Sequence, residues 1–302
     1  MDDSKKSLLF HAPAKINLYL KIIGRRPDGY HEIETLMQKV ALYDEVELSF
    51  TDERGIHLCC QHADLPEDER NIAFRAAQLF LTHTGSKEQG IRIILRKHIP
   101  MAAGLGGGSS DAAAVLKGLN QLLAAGCSTQ ELAEMGLKLG ADVPFFVHDV
   151  PAAWASGIGE RLVPAEPLRG FNVLLVNPGI AVSTKWAYET FSQAAGRIAL
   201  TSAREKFNIF NFPDESGIPV RQGFFRPKDM LNDLEAVTAA QHRVIGKLKQ
   251  RLLRAGAAGV MMSGSGSTVF GLFAAGTEAQ AESCLRELQK EYEQTYLVEP
   301  LT

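Results

Sequence analysis

The run Pro100-Met101-Ala102-Ala103-Gly104-Leu105-Gly106-Gly107-Gly108-Ser109-Ser110 sets four glycines in five positions, then two hydroxyl residues and an alanine-rich stretch. A backbone without Cβ atoms at these positions can approach a bulky anion closely. The stretch behind it predicts a helix over 109–125, closed at Gly126. A helix start offers unpaired N–H groups and the positive end of a dipole, so the segment reads as a cradle for nucleotide phosphate. Two other phosphate loops do not fit. No lysine stands between Met101 and Val115, which excludes the Gly-Lys-Ser/Thr ending of the P-loop. Gly104-Leu105-Gly106 opens a Gly-x-Gly-x-x-Gly frame, but Ser109 fills its last position and no acidic residue follows at the expected strand end. A flexible linker would not feed directly into helical spacing.

At 302 residues the chain suggests two domains, and we place the boundary near residue 165, giving 1–165 and 166–302. Ile16, Leu18, Leu20 and Ile22 alternate with Lys15, Asn17, Tyr19 and Lys21. That spacing predicts a strand with Lys15 and Asn17 on one polar face. Pro27-Asp28-Gly29 is a turn signal. Further strands are predicted over 46–50, 91–95, 173–176 and 269–273. Residues 72–81 carry helical spacing behind Asn71 as N-cap. Ser128 and Glu131 form a capping box for a helix to about Gly140. Helical patterns follow over 184–195, 229–239, 242–254 and 278–293, whereas 196–228 show no period and read as an irregular connection.

The net charge of −3 argues against non-specific nucleic-acid binding, which needs clustered cations. Cys59, Cys60, Cys127 and Cys284 have no metal-ligand spacing and suit a reduced, cytoplasmic setting. No segment reaches the ~18 apolar residues of a membrane helix. The opening Met1-Asp2-Asp3-Ser4-Lys5-Lys6 resembles neither a secretory signal nor a transit peptide.

Three further segments bear chemistry. Asp142 follows the helix that ends at Gly140, and Pro144 predicts an extended Val143. A carboxylate there is a candidate base for a hydroxyl nucleophile, although alone such an Asp is a cap or turn residue. Ser263-Gly264-Ser265-Gly266-Ser267-Thr268 is a second small-residue loop, which either meets a phosphate or turns a corner. Tyr30-His31 offers an aromatic face and an imidazole side by side, suited to stacking on a base and bonding its edge, or to packing.

Taken in order, Ala12-Pro13-Ala14-Lys15-Ile16-Asn17-Leu18, the 100–110 loop and Ser263 to Ser267 resemble the three motifs of one kinase superfamily. It is named for galactokinase, homoserine kinase, mevalonate kinase and phosphomevalonate kinase (GHMP). The triple-glycine loop with Asp111, Arg26-Pro27-Asp28-Gly29-Tyr30-His31, Gly140-Ala141-Asp142-Val143-Pro144 and Asn232-Asp233-Leu234-Glu235 are similar to the branch acting on a cytidylyl-linked methylerythritol. The likeness spans residues 12 to about 273 and omits 196–228. It implies an α+β fold of two domains, the first like ribosomal protein S5 and the second ferredoxin-like, with ATP and substrate in the cleft between.

The same resemblance implies transfer of the ATP γ-phosphoryl group to the substrate's 2-hydroxyl, on the non-mevalonate route to isoprenoid precursors. Asp142 would accept or orient the hydroxyl proton, and Lys15 would stabilise the transferring charge. Residues Pro100 to Ser110 would hold ATP, with Asn71 at the adenine and Lys97 near the nucleotide. Asn17, Tyr30, His31 and Tyr188 would bind the substrate, the last on the far face of the cytosine, with Trp186 as its alternative. Mg2+ is implied with ATP; Ser110 is a candidate ligand by analogy, and no matching glutamate is found. The partner expected is a small molecule, not nucleic acid or membrane, and the assembly a monomer or weak homodimer. Ala102 stands where many relatives carry glycine, a place where φ above zero would be costly. Two other readings stay open at this point: a superfamily kinase for a different alcohol, and a catalytically silent nucleotide-binding regulator.

Overall fold

The computed structural model describes residues 7–61, 65–195 and 225–302. Two long strands, β1 (Ser7–Arg25) and β2 (His31–Phe50), pair antiparallel around the Pro27-Asp28-Gly29 turn. Asp28 Oδ1 accepts from the Tyr30 amide there, and Gly29 takes φ +90°. Register shifts at three points bend β1. Both of its faces are covered, so Lys15, Asn17 and Tyr19 are as buried as Ile16 and Leu18. The alternation seen in sequence is real, but its polar face meets protein.

Beside β2 lie β3 (Gly55–Cys60) and β4 (Gly90–Arg96), in the order β3–β4–β2–β1. The other end of β2 pairs with β5 (Ala152–Gly157), which carries β6 (Arg161–Pro164). Against this sheet pack α1 (Ile72–His83), α2 (Gly107–Leu122), α3 (Thr129–Leu137) and α4 (Val143–Val147). Their apolar stripes meet Ile91, Ile93 and Leu95 around Phe80, Val115, Leu119 and Phe145, all almost fully buried. Burial of each such side chain contributes about 1.5–3 kcal/mol.

The second sheet runs β11 (Thr295–Val298), β7 (Phe171–Val176), β10 (Val269–Ala274), β9 (Gly259–Met262), all antiparallel. In chain order that is 4-1-3-2, with α8 (Glu278–Leu288) between the third and fourth strands, which is the ferredoxin-like arrangement expected. The period of two in β7 decides its packing. Val173 and Leu175 face Ile16, Leu18 and Val40 of the first sheet, while Leu174 and Val176 face α7 (Val244–Arg254) and α8. α5 (Thr184–Ala195) and α6 (Glu235–Gln241) complete the helices described.

Several expected boundaries shift. α2 starts at Gly107 and stops at Leu122, because Gly106 caps it in the left-handed region and Ala124 turns at φ +47°. α3 stops at Leu137 and α8 at Leu288. The helix expected from 229 begins only at Glu235, since β8 (Leu231–Asn232) joins β1 as a parallel edge strand. Val143 is helical rather than extended: Pro144 sits in the first turn of α4, where its missing N–H costs nothing. Residues 196–224 of the expected irregular connection lie outside the described residues. No helix among the described residues is long and apolar enough to cross a membrane.

Candidate active site

The glycine-rich loop is organised by where its carbonyls go. The Ala102 carbonyl accepts from the Val182 amide, Ala103 from Thr268, Gly104 from Ser263 Oγ, Leu105 from Lys15 and Gly106 from Ser110. All five oxygens are thus held by protein. Among the described residues, none of the amides from Met101 to Ser109 donates to the protein. An open row of donors at the head of a helix, with these five acceptors turned away, is suited to receive an anion. The packing admits no side chain here: a Cβ on Gly106 would stand 3.0 Å from Lys15 Cγ and 2.9 Å from Phe146 Cζ. Ser263 Oγ also accepts from the Asn17 amide at 3.3 Å, so the second small-residue loop turns its corner against β1 and the first loop, and Gly264 and Ser265 reach the cavity wall.

Lys15 lies on β1 beside this loop, 4% exposed. Its Nζ donates to Asn17 Oδ1 at 2.5 Å and stands 3.4 Å from Asp142 Oδ2. Asn17 Nδ2 donates to Thr35 Oγ1, which donates to the Tyr19 carbonyl. That chain fixes the Asn17 amide with its oxygen toward the lysine. Asp142 is the N-cap of α4, and its side chain is 36% exposed, against 5% for Lys15. A buried cation therefore backs a carboxylate that opens to the cavity. Such a pair can hold a hydroxyl and balance charge on a transferring group.

Lys97, at the end of β4, is differently placed. Its ammonium is held between Asp44 and Asp111, the latter at 2.6 Å, and Asp44 Oδ1 also accepts from the His98 and Ile99 amides. Burial pushes the Asp111 carboxyl above its usual range against the pull of Lys97. This cluster ties the strand entering the loop to the helix leaving it. Asn71 caps α1 by accepting from the Ala73 amide and donates from Nδ2 to the Pro66 carbonyl.

At the far end, Tyr30 is 61% exposed. The His31 ring stacks on Tyr188 with centroids 5.0 Å apart, and its Nε2 lies 2.5 Å from Ser192 Oγ. Trp186 packs instead against His242 and does not line the cavity.

A single cavity of about 1110 Å³ collects these groups. Every candidate residue reaches it except Trp186 and Ser110, and the Oγ of Ser110 is buried without a hydrogen-bond partner. Arg25, Arg70, Arg75 and Lys185 add positive charge to its wall. Among the described residues no group of three or more His, Cys, Asp or Glu could hold a metal. Thr35, Asp44 and Ser192 were not singled out in the sequence, and Asp111 only as part of the loop motif. A strand register pairing Thr35 with Leu20 would have exposed the first, whereas the others depend on contacts distant in sequence.

Comparison with known proteins gives the same picture. The family described as GHMP kinases N terminal domain matches residues 71–150, and GHMP kinases C terminal matches 222–294. The 4-diphosphocytidyl-2-C-methyl-D-erythritol kinase of Syntrophotalea carbinolica is 48% identical over 272 residues, 90% of this chain and 91% of that one. That of Geobacter sp. strain M21 is 45% identical, covering 94% and 95%. A crystal structure of 4-(cytidine 5'-diphospho)-2C-methyl-D-erythritol kinase aligns with TM-score 0.76 at 32% identity, covering 98% of this chain and all of that one. Homoserine kinase from Cytophaga hutchinsonii shares the fold, with TM-score 0.68 at 20% identity, covering 100% of this chain and 96% of that one. With its phosphate loop, its Lys15–Asp142 pair and relatives of this closeness, the chain belongs to the 4-diphosphocytidyl-2-C-methyl-D-erythritol kinase family of the GHMP kinases.

Proposed function

We infer that the chain transfers the γ-phosphoryl group of ATP to the 2-hydroxyl of 4-diphosphocytidyl-2-C-methyl-D-erythritol, in the non-mevalonate route to isoprenoid precursors. One observation carries this reading: Asp142 and Lys15 meet at 3.4 Å beside a loop whose carbonyls from Ala102 to Gly106 are bonded elsewhere. Phosphoryl transfer needs positioning and charge stabilisation far more than covalent help. The amides of residues 101–109 receive the triphosphate. Asp142 orients the hydroxyl and accepts its proton, and the Lys15 ammonium stabilises the oxygens between donor and acceptor. Asn71 stands at the adenine and Lys97 near the nucleotide. Asn17 faces the diphosphate or tetrol, while Tyr30, His31 and Tyr188 form the cytosine end.

Mg2+ takes one or two oxygens from protein and the rest from phosphate and water. Ser110 Oγ at the head of α2 has no partner and is the candidate by analogy, but it does not line the cavity. When bound, the ion neutralises charge on the β- and γ-phosphoryl oxygens.

A division into 1–165 and 166–302 is supported by the gap between β6, ending at Pro164, and β7, starting at Phe171. Four free cysteines suit a cytoplasmic location. Exposed large apolar residues such as Leu9, Leu137 and Leu253 lie on separate elements, in keeping with a monomer or weak homodimer.

An ADP-release assay tests the reading. Turnover is expected with the cytidylyl substrate and not with mevalonate. Turnover with mevalonate alone overturns it.

A further inference from the structure

The two ring nitrogens of His31 have unequal surroundings. Nε2 lies 2.5 Å from Ser192 Oγ on α5, while among the described residues Nδ1 has no partner. The ring lines the cavity, held flat against Tyr188. Burial, with Arg25 adding to it, lowers the His31 pKa, which keeps the imidazole neutral at pH 7. A neutral imidazole carries one donor and one acceptor, and the partner of one nitrogen fixes the role of the other. Ser192 Oγ bonds to no other group among the described residues, and either atom of this pair can be the donor. An O–H donated to Nε2 puts the ring proton on Nδ1.

Building on the cytidylyl reading above, we propose that Ser192 is a positioning residue that sets His31 in its Nδ1–H tautomer. The cavity then offers a donor to the pyrimidine edge. Cytosine has a bare N3 that accepts such a bond. Uracil carries a hydrogen on N3, and two N–H groups facing each other would both go unpaired in a half-buried site. A site built to hydrogen-bond one partner discriminates strongly against its mismatched analogue. Ser192 would thereby act on base choice from outside the contact itself. Nothing in its position, one residue among polar ones late in an amphipathic helix, announces that role in the sequence.

The test uses the full-length chain, with 15N-labelled histidine spectra and kcat/KM for cytidylyl- and uridylyl-linked methylerythritol. Wild type and Ser192→Thr, which keeps the hydroxyl, are expected to show the proton on Nδ1 and the same preference for cytidylyl. Ser192→Ala is expected to lose that tautomer signature and about tenfold of the preference, through KM, the scale of one hydrogen bond. A wild-type proton on Nε2, or an unchanged tautomer and ratio in Ser192→Ala, overturns the proposal. His31→Phe separates it from the reading it rests on. If that variant loses the preference and Ser192→Ala keeps it, only the role of Ser192 fails. If His31→Phe keeps the preference, His31 does not read the base and both fall.

Discussion

Ser263 donates from Oγ to the Gly104 carbonyl at 2.9 Å, and a methyl group on Gly104 would stand 2.0 Å from the Ser263 carbonyl oxygen. Gly104 also takes φ +78°. The two small-residue loops thus lock through backbone. Gly104→Ala is expected to lower stability by about 2 kcal/mol or more, from the clash and the strained backbone together. It should raise the KM for ATP as well. Chemical denaturation and ATP titration check both, and a variant as stable as the parent would refute the close approach.

Asp142→Asn keeps the shape of the side chain and removes its charge. The kcat is expected to fall by at least ~10²-fold, the usual scale for a positioned proton acceptor. ATP affinity should stay within about twofold, because the loop amides that hold the phosphates are untouched. Single-turnover kinetics beside equilibrium ATP titration separates the two effects. Full activity in the variant removes Asp142 from the chemistry.

Ala102 takes φ +49°, in the region that suits glycine. The strain anticipated from its identity is therefore present, and the Ala102 carbonyl still reaches the Val182 amide at 3.3 Å. Ala102→Gly relieves the side-chain clash but loosens the unfolded chain, so a net gain of about 0.5–1 kcal/mol is expected. The denaturant midpoint should rise with an unchanged slope. A lower midpoint contradicts the left-handed assignment.

Lys39 is 6% exposed, with Nζ donating to the His148 carbonyl at 2.7 Å and lying 5.0 Å from the Phe145 ring centre. Burial, the largest cause, pushes its pKa from 10.5 down to about 8. Between about pH 8 and pH 10.5 the unfolded chain still holds a proton that the folded chain has released, so stability from this group rises with pH. The destabilisation is fully present below pH 8 and is relieved across that window by about 3 kcal/mol. Lys39→Met should lose that rise. Urea unfolding of both proteins at pH 7.5 and 10 measures the difference, and parallel pH profiles would count against the depressed pKa.

The phosphate cradle was legible because its demands are local: glycines where the backbone turns, a helix start behind them, caps at Asn71 and Ser128. What lay beyond reading depends on partners far along the chain. β2 mixes Gln38, Lys39 and Asp44 with apolar residues, and nothing in that order says these polar groups are buried. Only the neighbouring strands make them so. β9, β11 and the short α4 are too brief to show a period. The meeting of Lys15 with Asp142 was expected only through the resemblance, since neither residue alone differs from a solvated lysine or a helix cap.

Leu231–Asn232 lies in the second half of the chain yet extends the first sheet beside Tyr19 and Leu20, and Asn232 Nδ2 grips the Met262 and Gly264 carbonyls at 2.8 Å. The cleft is consequently riveted along its floor. Either half produced alone would lack a seam the other supplies.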